Sequence, residues 1–301
     1  MVEPWTVDGG SDRLARFVAK QASVSFNQAK RWVGEGKVMI DGQVVTKAGA
    51  TLSVGQVVQL RMNAPRQRAA GRPRVEIVFE DDHVIVVNKP EGMSSVPYNE
   101  GERGTAMDAI RDAWKAQGKK SRGVPIHVVH RIDKATSGLL CFAKSKRAEL
   151  GLARQLREHT MEREYRCVVH GRLKSGTIES ELVRDRGDGM RWTARAGERG
   201  RRAVTHVELV EELKAASYCS VRLETGRTHQ IRIHLASRGH PLVGDSVYLR
   251  DWRERREPIA ATRLLLHARV LGFEHPISGQ AVYQVCEPPP RFEAALAALR
   301  S

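Results

Sequence analysis

Apolar residues recur along this chain in more than one rhythm. Between Leu14 and Val33 they fall at helical spacing: Leu14, Phe17 and Val18, then Ala29, Trp32 and Val33, each set on one face of a 3.6-residue turn. Ser11 or Asp12 stands where the first helix needs an N-cap and Ser25 where the second does; Gly34 or Gly36 is placed to end the second. "KVMIDGQVV" then changes to a period of two around Asp41-Gly42, a pair suited to a hairpin turn, and "VGQVVQLRM" adds a further strand. From Val75 onward the apolar runs are short. "VEIVFEDDHVIVVNKP" reads as two strands, and "GLLCFAK", "EYRCVVHGRL", "THVELVEEL", "YCSVRLETG", "RLLLHARVLGFEHP" and "GQAVYQVCEP" as more. Helical spacing returns after Lys144 ("SKRAELGLARQLREH"), after Gly226, and in "RFEAALAAL".

Strands outnumber helices after Val75 and do not alternate with them in βα order. This predicts an α+β chain: a small helix–helix–hairpin unit, then a mixed, mainly antiparallel sheet flanked by helices. The 301 residues exceed what one core commonly organises, so the expected division is a unit over 12–62, a linker over 63–74 and a larger domain over 75–301. The linker, "NAPRQRAAGRPR", combines four Arg with two Pro and a Gly and has no acid.

Charge adds a partner to this outline. Fifty Lys and Arg against 35 Asp and Glu give a net charge of +15, and residues 1–74 carry 12 of the cations but only 5 of the acids. Such an excess favours a polyanion, because cations that neutralise phosphates release condensed counterions. In the N-terminal unit Lys30, Arg31 and Lys37 lie along the second helix and its exit, where they would form a basic face. Cys141, Cys167, Cys219 and Cys286 are widely spaced, which argues against a zinc ribbon or a redox pair and for reduced core cysteines. No apolar run is long enough to span a bilayer and no leader pattern opens the chain, so the cytoplasm is the expected compartment.

Three stretches carry candidate chemistry. In "HRIDKATSGLL" (130–140), Asp133 sits between Arg131 and Lys134, and Gly138 permits a close approach into the following strand. The flanking cations would keep the carboxylate ionised as a nucleophile or base; the same residues also suit an Asp that only closes a turn with Thr136 and Ser137. In "ETGRTHQIRIHLASRGHPLVGD" (224–245), Thr228 is placed to cap a short helix, Gln230–Arg238, with Ile231 and Leu235 on one face and Gly239 at its end. Arg232 falls in its first turn, free to hold a carboxylate or a phosphate. His229 and His234 are five apart, which does not put two imidazoles on one face for a metal. In "MEREYRCVVHGRL", Tyr165 opens a strand, a position that also suits a core tyrosine.

Taken together, "VVNKPEGM", "HRIDKATSGLL", "EREYRCVVHG", "GRTHQIRIHLASRGHPLVGD" and "LLLHA…FEHP" resemble, in order and spacing, the RluA-type pseudouridine synthases over most of residues 75–301. Residues 12–62, most specifically "AKRWVGEGKVMIDGQVV", resemble the S-four-like RNA-binding domain that often precedes them. The resemblance implies a catalytic trio of Asp133, Tyr165 packed on the uracil, and Arg232 paired with the aspartate. It implies that Arg131 enters the helix vacated by the target base, that Arg227 and His229 contact RNA, and that no cofactor or metal is used. Two departures stand out: Arg163-Glu164-Tyr165 replaces the family's Lys-x-Tyr, and "SSVPYNEGERGT" follows "NKPEGM" where a Val-His-Pro-like stretch is usual. The expected substrate is structured RNA, large-subunit ribosomal RNA first and transfer RNA second, acted on by a monomer. A non-catalytic RNA-binding assembly factor is the rival, disfavoured because Asp, Tyr and Arg are all present.

Overall fold

A computed structural model describes residues 4–8, 13–64, 74–98, 102–119, 121, 123–183, 190–195, 197–254 and 256–300. Contacts divide the chain into two units, Met1–Arg72 and Pro73–Ser301. Most of the expected linker, residues 65–73, lies outside the described residues, as do the expected caps Ser11 and Asp12.

The first unit runs β1 (Trp5–Thr6), α1 (Leu14–Gln21), α2 (Phe26–Gly34), β2 (Val38–Ile40), β3 (Gln43–Val44) and β4 (Val57–Leu60), with an antiparallel sheet in the order β1-β4-β2-β3. Leu14, Phe17 and Val18 of α1 bury against Ala29 and Val33 of α2 and against Val38, Leu52, Val58 and Leu60, which is the pairing of stripes the helical spacing implies. Ser25 caps α2, its hydroxyl accepting from the Gln28 N–H at 3.2 Å. Gly36 ends the helix at φ +73°, its N–H reaching Val33 O while Lys37 N–H reaches Trp32 O. Asp41 and Gly42 both take positive φ, 50° and 79°, as the tight β2–β3 turn requires.

The second unit continues with β5 (Glu76–Glu80), β6 (Val84–Lys89), α3 (Ala106–Ala116), β7 (His127–Val128), β8 (Ser137–Ala143), α4 (Lys146–Arg157), β9 (Glu162–His170), β10 (Gly176–Val183), β11 (Trp192–Thr193) and β12 (Arg201–Glu212). It closes with β13 (Ala216–Leu223), α5 (Gln230–Ser237), α6 (Arg250–Arg253), β14 (Leu266–Glu274), β15 (Ala281–Val285) and α7 (Pro290–Arg300). The sheet order is β11-β10-β12-β13-β9-β14-β8-β6-β5, with β15 on β14 and β7 on β8. It is a mixed α+β fold: among the described residues, every pairing is antiparallel except β14 with β8.

That parallel contact positions everything that follows. It is short, Ser137 beside His267 and Gly138 beside Ala268, and it joins β5, β6 and β8 to the long meander β9–β14. Gly138 has φ +113°, and a Cβ there would stand 2.2 Å from Ala268 O. Only glycine can make this approach, so the close entry into the strand has a definite cause. Among the described residues, no helix is long and apolar enough to cross a membrane.

Candidate active site

The segment 129–136, between β7 and β8, forms one wall of a cleft of about 500 Å³. Asp133, Arg131, Tyr165, Arg227, His229 and Arg232 all line it. The sequence-predicted residues of the large domain therefore converge on one site, whereas Lys30, Arg31 and Lys37 belong to the other unit. In that unit Lys30 and Arg31 are exposed, and Glu35 takes the charge of both Arg31 (3.9 Å) and Lys37 (3.3 Å).

Asp133 is held by its backbone and faces the cleft with its carboxylate. Thr136 N–H donates to Asp133 O at 3.0 Å, so the turn expected of this stretch exists but is closed by backbone. Lys89, fully buried at the end of β6, donates to Met93 O at 2.8 Å, Pro90 O at 3.0 Å and Thr136 O at 2.6 Å. Burial pushes the Lys89 ammonium down to about 7, against the opposing pull of Asp133. Ser95 holds the other side: its hydroxyl donates to Ile132 O at 2.7 Å and accepts from Ile132 N–H at 3.2 Å. The divergent stretch after "NKPEGM" thus supports the loop from beneath.

The groups nearest the Asp133 carboxylate are not its sequence neighbours. Arg131 and Lys134 are exposed; the near groups come from the 227–232 segment, Arg232 Nη1 at 3.5 Å from Oδ2 and His229 Nε2 at 4.0 Å from Oδ1. The ion-pair partner of Asp133 is thus Arg232, from a distant part of the chain, and not the Arg131 or Lys134 that flank it in sequence.

Arg232 is buried and shared between two carboxylates. Its Nε and Nη2 make a fork on Asp245, 2.7 and 2.9 Å, while Nη1 is left for Asp133. Burial would raise the Asp245 pKa, but hydrogen bonds from Arg232 and from the Tyr248 and Val247 N–H groups hold it below the usual carboxylate range. Burial likewise opposes the charge on Arg232, and Asp245 and Asp133 more than restore it. Of the two anions open to Arg232, the structure uses a carboxylate.

Thr228 does not cap α5. The N-cap is His229, in a left-handed conformation at φ 58°, with no side-chain cap bond. That geometry turns the imidazole back into the cleft, with Nδ1 on the Tyr248 hydroxyl at 2.9 Å and Nε2 toward Asp133. Burial lowers the His229 pKa, partly offset by Asp133, so the ring is neutral at pH 7. His234 faces elsewhere, with Nδ1 on Thr205 Oγ1 and Nε2 on Ser180 Oγ.

Tyr165 stands on β9 between Val221 of β13 and Ala268 of β14 and packs with Ile132, Ile231 and Leu266. It is 7% exposed, as a core tyrosine is, and it also lines the cleft. Burial raises its phenol pKa, which keeps it protonated. Arg163, where the family has Lys, is buried and donates through Nη2 to Leu223 O and Glu224 O at 3.3 and 3.2 Å. It ties β9 to the end of β13. Arg131 and Arg227 are exposed at the cleft margin. Sequence reading missed Lys89, Ser95, Asp245 and Tyr248 as parts of the site. "NKPEGM" and "GHPLVGD" contained Lys89 and Asp245, but only the fold says what they touch.

Comparison with known proteins places these residues in context. Residues 83–237 match the RNA pseudouridylate synthase family, and residues 12–58 match the S4 domain. The ribosomal large subunit pseudouridine synthase D of Zymomonas mobilis is 44% identical over 214 residues, 69% of this chain and 67% of that protein. An uncharacterized RNA pseudouridine synthase of Bacillus subtilis is 36% identical over 281 residues, 90% of this chain and 89% of that protein. Among solved structures, human RNA pseudouridylate synthase domain containing 4 has the same fold, with a TM-score of 0.60 at 22% identity over 74% of this chain and 92% of that one.

Proposed function

The chain belongs to the RNA pseudouridylate synthase family, and from that premise we propose that it converts specific uridines of large-subunit ribosomal RNA to pseudouridine with Asp133 as the catalytic carboxylate. The observation that carries the assignment is the Asp133–Arg232–Asp245 chain at the floor of the cleft. The choice of RNA rests on the relatives that act on the large ribosomal subunit and on the S4 domain in front.

The reaction breaks the bond between ribose C1′ and uracil N1, turns the base, and joins C1′ to C5; the C5 proton then leaves. No electron, hydride or phosphate is transferred, so the chemistry asks for a carboxylate and positioning rather than a redox or nucleotide group. Asp133 supplies the carboxylate, as a nucleophile toward the nucleoside or as a base on the ribose. Arg232 keeps it aimed, because two of its three nitrogens are committed to Asp245 and the third faces Asp133 at 3.5 Å. Tyr165 offers the face against which the uracil rests.

Reaching the sugar requires the nucleotide to leave the stack, at a cost of roughly a few kcal/mol. Arg131, exposed at the cleft margin, is positioned to fill the gap in the RNA and offset part of that cost. Lys30 of the first unit adds affinity for the phosphate backbone, and Arg31 and Lys37, paired with Glu35, add less. The division into a 12–62 RNA-binding domain, a 63–74 linker and a 75–301 catalytic domain belongs to the same proposal.

The test of substrate is tritium release from protein-free RNA labelled at uridine C5. Large-subunit ribosomal RNA is expected to release tritium and transfer RNA to release none. Release from transfer RNA alone would contradict the proposed substrate.

A further inference from the structure

Beside the cleft runs a second groove of about 580 Å³, lined by Leu182, Val183, Arg191, Arg199, Arg201 and the 226–228 turn, with Glu198 as the one acid among its lining residues. Gly226, Arg227 and Thr228 line both, so the two spaces adjoin at this turn. Among the described residues, none of Arg191, Arg199, Arg201 or Arg227 is within ion-pair distance of an acid. Arg227 instead donates from Nε to the backbone O of Arg202. Arg202, next in the chain to Arg201, meets Glu179 and Glu224 at 2.7 Å each; Arg172, Arg269 and Arg300, elsewhere in this unit, are paired with Glu212, Glu287 and Glu211. Among the described residues, the four arginines of the groove thus have no acid at ion-pair distance, whereas Arg202 beside them has two.

The groove is also braced against the active site. Trp192 of β11, beside Arg191, packs edge-on to Tyr248 at 6.1 Å. Tyr248 in turn hydrogen-bonds His229 and lies under the Arg232 guanidinium at 5.1 Å. The wall that carries Arg191 is therefore fixed relative to Asp133, as a site that measures from the reacting nucleotide must be.

We propose that this groove is a second RNA subsite, in which Arg191, Arg199, Arg201 and Arg227 hold the phosphodiester backbone of the nucleotides that adjoin the everted uridine. The inference rests on the reading of the cleft as the uridine site. A nucleotide flipped into the cleft carries its neighbours with it, and their phosphates must leave through an opening that adjoins the cleft. Guanidinium groups suit that task because their planar fork matches phosphate oxygens. An unneutralised arginine on such a path gains affinity through counterion release, and a paired one gains much less.

The experiment uses the full-length protein with Arg199→Gln/Arg201→Gln, both positions exposed, and Arg147→Gln as an exposed control on α4. Binding is measured with an oligouridylate at several salt concentrations, and turnover with large-subunit ribosomal RNA. The double variant is expected to keep the wild-type melting temperature and its kcat within about two-fold, and to raise Kd and KM by roughly 10-fold or more. Its slope of log K against log salt should fall by about 1.4, near 0.7 for each lost contact to a single strand. Arg147→Gln should change none of these. A double variant that binds with wild-type affinity and slope, or one that loses kcat with an unchanged slope, overturns the groove. If wild type turns over RNA and the double variant binds normally, the groove alone falls. If wild type turns over no RNA while the double variant loses affinity and slope, the groove stands as an RNA site and the catalytic reading of the cleft falls.

Discussion

Asp133 owes its setting to groups that arrive from distant parts of the chain: Lys89 and Ser95 hold its loop, and Arg232 and His229 face its carboxylate. The shared guanidinium makes a sharp prediction. Arg232→Gln leaves Asp245, fully buried, without its counter-charge, which costs about 3–5 kcal/mol of stability. Arg232→Gln/Asp245→Asn should recover much of that stability without recovering turnover, because Asp133 still lacks its partner; chemical denaturation and kcat together separate the two roles. Recovery of both would mean that Arg232 serves only Asp245. At this scale the sequence was legible in part. Asp133, Tyr165 and Arg232 were visible because they sit in motifs, but Asp245 reads as one more loop acid until the fold brings it 13 residues back onto Arg232. His229 took the cap position assigned to Thr228, since a left-handed turn is invisible to residue preference when histidine rather than glycine adopts it.

Among elements, the parallel contact of β8 with β14 is the joint that sets Asp133 beside the strand of Tyr165 and its neighbours. Gly138→Ala forces a Cβ onto Ala268 O and should cost more than about 3 kcal/mol, read as a lower melting temperature with loss of turnover. A variant that melts like wild type would show the joint to be dispensable. The long strands other than β10, and α1, α2, α4 and α7, followed from their periodicity. The helix α3 did not, although Ile110 and Trp114 stand four apart and Thr105 and Asp108 form a reciprocal capping box, Asp108 N–H to Thr105 Oγ1 at 3.3 Å and Thr105 N–H to Asp108 Oδ2 at 3.2 Å. Its apolar stripe is broken by Arg111 and Asp112 and follows a glycine-rich loop, so local polarity concealed a usable signal. The strand β10, "GTIESELV", was missed for a similar reason: only Ile178, Leu182 and Val183 are buried in it.

For the whole molecule, buried imidazoles shape the acid limb of stability, His234 and His267 among them. His234 and His267 are fully buried and accept or donate hydrogen bonds as neutral rings, and burial pushes both down from 6.5 to about 4. The unfolded chain takes up a proton on each near pH 6.5 while the folded chain resists until about pH 4. Their contribution is therefore full above pH 6.5 and is lost as pH falls toward 4, at most about 3 kcal/mol each. Urea denaturation across that window should show the decline, and His267→Asn should make it shallower; an unchanged slope would remove His267 from the account. The two units, each with its own core, predict a separation of functions. Removal of residues 1–72 should weaken RNA binding and its salt dependence while the second unit keeps its own melting transition.

The central claim is that Asp133 performs the isomerisation, and the most direct test is tritium release from ribosomal RNA labelled at uridine C5, with wild type and Asp133→Asn compared side by side. The account predicts release by wild type and none above background by Asp133→Asn, with the variant's RNA affinity within about three-fold of wild type, a difference under 1 kcal/mol. Release by Asp133→Asn at a rate near wild type would contradict it.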